Sequence, residues 1–390
     1  MNVRRRLIFL GAAGLLTAAV GACTDNSSSD ASASTDPNHL SVSSTADACD
    51  VSAETAPSGN LIFSVKNAGD EVTEFYLLGS DGVRIVGEVE NIGPGLQRDL
   101  VVRAEPGEYV TACKPGMKGD GIRGALTVTD SGSGSATSDD MTELEAAATT
   151  QYKAYVQQQA ATLLTGTKAF ADAYRNGQDD QARDLYASTR TYWESIEPVA
   201  ESFGDLDPRL DLREADLEEG QEWTGWHRIE KDLWPPAEGA TPATPEQRQQ
   251  YADQLVADTQ ELVDRINQLE LSADQMGNGA KELLDEVATG KVTGEEEAWS
   301  HTDLWDFQAN VDGARIAYQA LRPIVVVKDP ALATTLDERF AAIQTELDKY
   351  RAGDGFVLYT NLTPAQVREL SDAVSALGEP LSNLTATVVL

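Results

Sequence analysis

The fold of this 390-residue chain is decided where residues 131–174 read SGSGSATSDDMTELEAAATTQYKAYVQQQAATLLTGTKAFADAY. The first part of the stretch is rich in serine and glycine, which is typical of a flexible linker, and we place that linker at residues 131–142. The second part is helical in pattern, because its apolar side chains recur at the spacing of one helix face. These positions are Tyr152, Tyr155, Val156, Leu163, Phe170 and Tyr174. The stretch therefore predicts a boundary between two domains of different secondary structure.

Residues 46–130, before the linker, have the pattern of a β-sheet domain. Leu61, Phe63 and Val65 occupy every second position, as the side chains on one face of a strand do. Turn-forming sequences such as Gly93-Pro94-Gly95 separate the short apolar runs. This region is predicted to be a small all-β sandwich.

Residues 143–390, after the linker, keep the helical pattern to the end. Three segments begin with a serine or threonine three residues before a glutamine, which is a helix N-cap pattern. These pairs are Thr244 with Gln247, Ser272 with Gln275, and Thr363 with Gln366. We expect about seven helices, several of them longer than about 20 residues, packed as an antiparallel bundle. The chain is thus predicted to be a multidomain protein, all-β and then all-α.

The N-terminus has the features of an export signal. Three arginines precede an apolar stretch at residues 7–20 that is too short to cross a bilayer comfortably. The stretch ends in Val20-Gly21-Ala22-Cys23, which resembles a bacterial lipobox, so residues 1–22 are predicted to be a lipoprotein signal peptide and Cys23 the lipidated residue. The alternative is ordinary signal cleavage beside an incidental cysteine. Residues 23–45 are expected to be a disordered tether that leaves the protein extracytoplasmic and anchored to the cell membrane.

The chain is strongly acidic. Its formal net charge is −34, and removal of residues 1–22 with their three arginines makes it −37. This charge repels nucleic acid and attracts cations, so it excludes a nucleic-acid partner and favours a cation partner. The simpler interpretation is that the charge serves solubility alone.

The sharpest local motif is His227-Arg228-Ile229-Glu230. On a helix His227 and Glu230 lie on the same face, where an imidazole and a carboxylate can bind one cation. Histidine is a ligand for iron or zinc. The alternative for so short a motif is a surface ion pair.

Acidic residues on a second segment support a metal site. Glu194 and Glu197 repeat the three-residue spacing among apolar neighbours, and Asp211 lies between the two motifs. A buried carboxylate is costly unless it is paired or bound to a metal. A third segment, residues 300–310, places His301 beside two aspartates and follows three glutamates, but a helix N-terminus explains it equally well.

Several dispersed stretches resemble the EfeO family, the extracytoplasmic component of bacterial high-affinity iron uptake. They occur in the expected order over nearly the whole chain. They are Glu90-Asn91-Ile92-Gly93-Pro94-Gly95, Pro106-Gly107-Glu108-Tyr109 with Cys113, Ile196-Glu197-Pro198, Gly225-Trp226-His227-Arg228-Ile229-Glu230 and residues 300–310. The resemblance implies a cupredoxin-like domain over residues 46–130 and an imelysin-type, peptidase-like helical domain over residues 143–390.

The resemblance also implies a metal site in each domain. In the helical domain the matching iron ligands are His227, Glu230, Glu194, Glu197 and Asp211. In the small domain a second metal, copper or iron, would be held by Cys49, Glu74, Glu108 and Cys113. The partners implied are a membrane iron permease and a haem-containing peroxidase.

The small domain departs from blue-copper proteins, because residues 46–130 contain no histidine. A copper site of the two-histidine type is therefore excluded. The alternative for Cys49 and Cys113 is a structural disulfide, the usual state of a cysteine pair in an oxidising compartment.

Three functions are compatible with these features. The leading one is an iron-binding protein, without enzymatic activity, that delivers iron to a permease. The second is an imelysin-type metallopeptidase, which lacks support because the chain has no His-Glu-x-x-His motif and the predicted ligand set contains one histidine with several carboxylates. The third is polysaccharide binding through Trp193, Trp223, Trp226 and Trp234, which the negative charge opposes for a polyanionic ligand.

Overall fold

The computed structural model describes residues 36–132, 139–236 and 241–390. The predicted signal peptide at residues 1–22 and the predicted lipidation site Cys23 lie outside the described residues. Among the helices of the described part, none combines the length and the apolar character that a membrane span requires.

The predicted sandwich is confirmed as two facing sheets. Nine strands of the described residues build it: β1 (His39–Ser44), β2 (Cys49–Val51), β3 (Thr55–Pro57), β4 (Gly59–Asn67), β5 (Thr73–Leu78), β6 (Ile85–Ile92), β7 (Gln97–Ala104), β8 (Gly107–Cys113) and β9 (Ile122–Thr129). One sheet has the order β2-β1-β4-β7, and the other has the order β3-β9-β8-β5-β6. The pairs β1–β4 and β3–β9 are parallel, and the other pairs are antiparallel.

The core of the sandwich is filled by the alternating side chains of the two inner faces. Leu61, Phe63 and Val65 of β4 are fully buried, as their spacing predicts. Between the two sheets, the ring centroid of Phe63 lies 5.2 Å from the ring centroid of Phe75 on β5. Burying such apolar surface is the main stabilising contribution in a domain of this size.

The folded domain begins earlier than the predicted boundary at residue 46. Strand β1 starts at His39, inside the stretch expected to be a tether. Leu40 and Val42 point into the sandwich core, and the strand pairs in parallel with β4, so these residues are held by both packing and backbone hydrogen bonds.

About seven helices were predicted for the helical domain, and its described residues form eleven, of which seven are long. They are α1 (Asp139–Arg175), α2 (Asp179–Glu194), α6 (Pro245–Gln268), α7 (Ala273–Thr289), α8 (Asp303–Lys328), α9 (Pro330–Leu347) and α10 (Pro364–Leu381). Four short helices complete it: α3 (Glu197–Glu201), α4 (Asp207–Leu210), α5 (Gly225–Leu233) and α11 (Leu384–Val389). A two-stranded hairpin, β10 (Arg351–Ala352) and β11 (Gly355–Phe356), precedes α10.

The helix boundaries follow the local signals in the sequence. At the start of α6 the backbone N–H of Gln247 donates to Thr244 Oγ1 over 3.3 Å, and the backbone N–H of Thr244 donates to Gln247 Oε1 over 2.9 Å. The equivalent pair at α10 is Thr363 and Gln366. Helix α1 begins at Asp139, so it takes up the end of the predicted linker at residues 131–142.

The sandwich and the helical domain meet along α7. Arg98 of β7 forms an ion pair of 3.3 Å with Asp285, and Asn278 donates to the backbone oxygen of Val101 over 3.0 Å. The backbone N–H of Ile85 donates to the oxygen of Ser202 over 2.9 Å. Strands β6 and β7 are thus fixed against α7 and the segment after α3.

Candidate metal centre

Helix α5 carries the His-x-x-Glu motif into the interior of the helical domain. Trp226, Ile229 and Leu233 anchor the helix in the apolar core, and His227 and Glu230 are also fully buried. His227 Nδ1 lies 3.1 Å from Glu230 Oε2. The motif is therefore not the surface ion pair that was the alternative.

Glu230 is fixed by the loop that precedes α8. Its Oε1 accepts hydrogen bonds from the backbone N–H groups of Trp299 at 3.0 Å and Ser300 at 2.7 Å. One carboxylate oxygen thus binds the loop and the other orients the imidazole. Fixing a histidine through its second nitrogen is a common arrangement around metal ions in proteins.

The other ring nitrogen of His227 faces two carboxylates. Nε2 lies 3.5 Å from Asp211 Oδ1 and 3.5 Å from Glu296 Oε1. It is fully buried and has no hydrogen-bond partner among the described residues. A buried polar atom of this kind is costly, and a cation held by the nitrogen and the two carboxylates would satisfy all three.

The position of Asp211 beside His227 depends on a close approach of α4 and α5. Gly225 starts α5 with a positive φ of 84°, and a Cβ atom there would overlap the backbone oxygen of Leu210. Only glycine adopts this conformation at no steric cost and leaves room for the carbonyl. Asp211 follows directly, and the indole N–H of Trp193 donates to its Oδ2 over 2.8 Å.

Glu194 and Glu197 complete the acidic side of the centre. Glu194 ends α2 and Glu197 starts α3, and Pro198 enforces the break because it cannot continue the helix hydrogen bonds. One carboxylate oxygen of each of these residues lies within 4.8 Å of those of Asp211 and Glu296. The centre thus brings together the five residues predicted in the helical domain.

Two buried cations of the protein face the same carboxylates. Lys291 Nζ lies 2.6 Å from Glu194 Oε2 and 2.8 Å from Glu197 Oε2. Arg190 forms ion pairs with Glu194, Asp211 and Glu297, the last at 2.6 Å. Buried carboxylates at this density require such partners, since an isolated buried charge is very costly.

Four residues of the centre were missed by the sequence analysis. They are Arg190, Lys291, Glu296 and Glu297. Glu296 contacts His227, and Glu297 forms a group with His227 and Glu230 in which the carboxylate and imidazole atoms lie within 4.8 Å of one another. The run of three glutamates before Ser300 was the available signal for the two acids, and nothing in the local sequence distinguished the two cations from surface residues.

The segment at residues 300–310 contributes a helix N-terminus and not a histidine ligand. His301 is partly exposed and lines a surface cavity with Trp234 and Trp299. Asp303 begins α8, and its Oδ1 accepts the backbone N–H of Glu297 over 3.2 Å. Asp306 is buried near Arg190, with 3.9 Å between Oδ1 and Nε.

The charges around the centre shift the pKa values of its histidine and of one of its glutamates. Burial and the nearby Arg190 oppose the charged imidazole, but the surrounding carboxylates outweigh them and raise the pKa of His227 well above its ordinary value. Burial, followed by the neighbouring Glu197, raises the pKa of Glu194 to about 8. A metal ion needs the neutral imidazole and the ionised carboxylate, so its binding would release protons.

In the small domain the predicted metal site is not assembled. Cys49 and Cys113 form a disulfide that joins β2 of one sheet to β8 of the other, so the prediction that their thiols bind a metal is wrong. The facing strands bring the two Cα atoms to 5.5 Å, which is disulfide distance.

The two predicted carboxylates of the small domain are also apart from each other. Glu74 is buried, and its Oε2 accepts the hydroxyl of Tyr76 over 2.8 Å. Glu108 is exposed at the other end of β8 and accepts the hydroxyl of Thr127 over 2.9 Å. Cys113 lies five positions after Glu108 along the extended strand, a distance of about 17 Å.

The donor set of the helical centre is one imidazole with several carboxylates. Oxygen ligands with a single histidine fit iron and leave zinc as a weaker alternative, because zinc sites in proteins use more nitrogen and sulfur ligands. The set differs from a copper site, which favours several histidines or a thiolate.

Comparison with known proteins agrees with this architecture. The imelysin family model matches residues 148–384, and the model of the cupredoxin-like domain matches residues 14–128. The chain is 37% identical over 387 residues to the iron uptake system component EfeO of Escherichia coli O157:H7, and the alignment covers 98% of each chain. It is 36% identical, with the same coverage, to the proteins of that name from Escherichia coli strain K12 and from Shigella flexneri. On the evidence of both domains and of the full-length match, this chain belongs to the EfeO family.

Proposed function

We propose that this protein is the extracytoplasmic iron-binding component of an iron uptake system and that it binds iron at the His227 centre. The observation that carries the proposal is the buried Nε2 atom of His227, which has no hydrogen-bond partner among the described residues and faces Asp211 and Glu296. The name of the relatives, iron uptake system component, identifies iron as the ion to test first.

The iron is cargo in this proposal and not a resident cofactor. Carboxylates and one imidazole bind it, while Lys291 and Arg190 remain within reach of the same carboxylates. The ion pairs that the two cations form with these carboxylates offset the cost of losing the metal, so a bound ion can be released without leaving the acids unpartnered. A protein that delivers its ion needs this property.

The partners follow from the same proposal. The iron would pass to a membrane permease, with a haem-containing peroxidase as a further component of the system. Acylation at Cys23 would hold the protein at the outer surface of the membrane where the permease lies.

A peptidase function is not supported by the centre. Metallopeptidases need an open metal position and a carboxylate free to act as general base. His227 and Glu230 are fully buried, and both oxygens of Glu230 are engaged by the imidazole and by the backbone of residues 299 and 300. We therefore propose a binding role without proteolysis.

Sugar stacking is not supported for the two central tryptophans either. Trp193 and Trp226 are fully buried. Trp226 packs against Phe170 with 4.9 Å between ring centroids, which is core packing.

Titration calorimetry of the purified full-length protein with Fe(II), Fe(III), Zn(II) and Cu(II) tests the proposal. His227→Ala should weaken iron binding by at least about a hundredfold, because it removes a direct ligand. His301→Ala is the matched control, since it removes a histidine outside the centre. Equal iron affinity of His227→Ala and the parent would overturn the assignment, and metal-dependent cleavage of casein would favour the peptidase.

A further inference from the structure

A second group of carboxylates lies where the sandwich meets the helical domain. Glu88 comes from β6, Glu201 from the end of α3 and Glu282 from the middle of α7. One carboxylate oxygen of each lies within 4.8 Å of the other two. We call these three residues the junction cluster.

The junction cluster has no directly bonded partner over the described ranges. None of its three carboxylates accepts a hydrogen bond or forms an ion pair, and Lys114 acts on Glu88 only through its charge, from beyond ion-pair distance. Two lysines in and just after α7 form ion pairs with other carboxylates. Lys281 pairs with Asp285, and Lys291 pairs with Glu286. The cluster therefore differs from the His227 centre, where Arg190 and Lys291 contact the acids.

Glu88 is the decisive member of the cluster. Its exposed fraction is 7%, and it has no hydrogen-bonding partner in the part of the chain that the structure describes, yet one of its carboxylate oxygens lies within 4.8 Å of those of the other two members. Burying an unpartnered carboxylate beside like groups is costly, and a cation in their midst removes that cost.

The cluster is accessible to a cation. Glu88 and Glu282 line a cavity of about 740 Å³ between the β6–β7 face and helices α7, α10 and α11. Six acidic residues line this cavity against two basic ones, Arg98 and Lys281, so its wall carries a net negative charge. Such a wall concentrates cations near the cluster.

Shared carboxylates connect the cluster to the His227 centre. Glu201 also forms a group with Glu197 and Glu286, and Glu197 forms a group with Asp211 and Glu296. Within each of these groups the carboxylate oxygens lie within 4.8 Å of one another. Lys291 contacts Glu197 and Glu286 in the metal-free protein, so an ion that exchanges ligands one at a time between the junction and the centre displaces this ammonium group.

We propose that Glu88, Glu201 and Glu282 bind a second cation at the domain junction and pass it through Glu201 and Glu197 to the His227 centre. The all-oxygen donor set selects a hard, multiply charged cation, which is iron when the protein works in uptake. The transfer step rests on the proposed function, whereas the binding site at the junction does not.

Binding is tested with Mn(II), whose free aquo ion is counted by electron paramagnetic resonance, on the purified full-length protein. The parent should bind two ions per chain, and Glu282→Gln and Glu88→Gln should each lose one. Glu270→Gln is the matched control, because it also neutralises one carboxylate but lies exposed outside the cluster. Retention of both ions by the two cluster variants would overturn the junction site.

The His227→Ala variant separates this inference from the proposed function. It should lose the other ion and keep the one at the junction. If it keeps both ions while Glu282→Gln loses one, the His227 assignment fails and the junction site stands. Because glutamine matches glutamate in size and is uncharged at every pH, the cluster variants should melt no lower than the parent without metal, which confirms that they are folded.

Transfer is tested by the rate at which the centre fills with Fe(II). Trp193 donates a hydrogen bond to Asp211, so its fluorescence reports occupation of the centre in a stopped-flow experiment. Glu282→Gln should slow this signal by about tenfold while the final affinity of the centre is unchanged. An unchanged rate would overturn the transfer role.

Discussion

The ammonium nitrogen of Lys291 lies 2.6 Å from Oε2 of Glu194, and both side chains are fully removed from solvent. The protein thus places its own cation against the carboxylates that we assign to iron. In this assignment Lys291 and iron compete for Glu194 and Glu197. The lysine therefore stabilises the metal-free protein and lowers the affinity of the centre for iron.

Replacing Lys291 by methionine tests this competition. The metal-free variant should be destabilised by about 3–5 kcal/mol, because buried carboxylates lose their partner. Saturating Fe(II) should recover most of that loss. Denaturant unfolding with and without Fe(II) measures both values, and Lys349→Met, at an exposed ion pair, is the control. A loss of the same size in both conditions would contradict the competition.

Glu296 was not predicted to be a metal ligand from the sequence. Its role as a ligand is tested by comparing substitutions at Glu296 and at the adjacent Glu295. Glu296→Gln should weaken Fe(II) binding by at least about tenfold, because it removes one of the two carboxylates that face His227 Nε2. Glu295→Gln makes the same change on an exposed residue and should have no effect. Calorimetric titration gives both affinities, and equal affinities would remove Glu296 from the ligand set.

The metal-free protein should lose stability as the pH rises. Burial, followed by neighbouring carboxylates, raises the pKa of Glu282 from its ordinary value of 4.5 to about 8. Burial and Glu74 likewise raise the pKa of Glu90 to about 8. Between pH 4.5 and about pH 8 these carboxyl groups lose their protons in the unfolded chain but keep them in the folded protein. The free energy of unfolding is therefore highest below pH 4.5 and declines until the folded groups titrate near pH 8.

Thermal unfolding in the presence of a chelator checks this pH dependence. The Tm should fall by at least about 2 °C between about pH 5 and about pH 8.5. The double variant Glu90→Gln, Glu282→Gln should show a flatter profile. A parent Tm that rises over this interval would contradict the direction of the shifts.

The disulfide of the sandwich is predicted to be structural. It closes a sequence separation of 64 residues, and its removal in Cys49→Ala, Cys113→Ala should cost about 2–4 kcal/mol. The double variant should bind iron at the His227 centre as the parent does. Denaturant unfolding and iron titration on the same samples measure the two effects. Loss of a bound ion in the variant would show that the pair also supports a metal site.

Local patterns predicted the elements and part of the centre. The three-residue spacing of His227 and Glu230 requires only that α5 is helical, so the pair could be identified from sequence. Glu194 and Glu197 have the same spacing, although they belong to two helices separated by a break before Pro198. Their common site follows from packing that the spacing alone does not encode.

The remaining members of the centre depend on contacts between distant segments. From the local sequence, Arg190 and Lys291 cannot be distinguished from surface residues. They become buried because α2 packs against the loop before α8. The junction cluster joins residues from a strand and two helices, and no local sequence pattern connects Glu88 to Glu282. The state of Cys49 and Cys113 likewise required the facing positions of β2 and β8.

The conformation at Gly225 has a consequence for how the centre can vary. The position carries no ligand atom, yet the distance between Asp211 and His227 depends on the space that the missing side chain leaves for Leu210. A single methyl group at residue 225 would push α4 and α5 apart and separate two ligands while every ligand remained present in the sequence. Mutational surveys restricted to acidic residues and histidines would pass over the residue that sets the width of the centre.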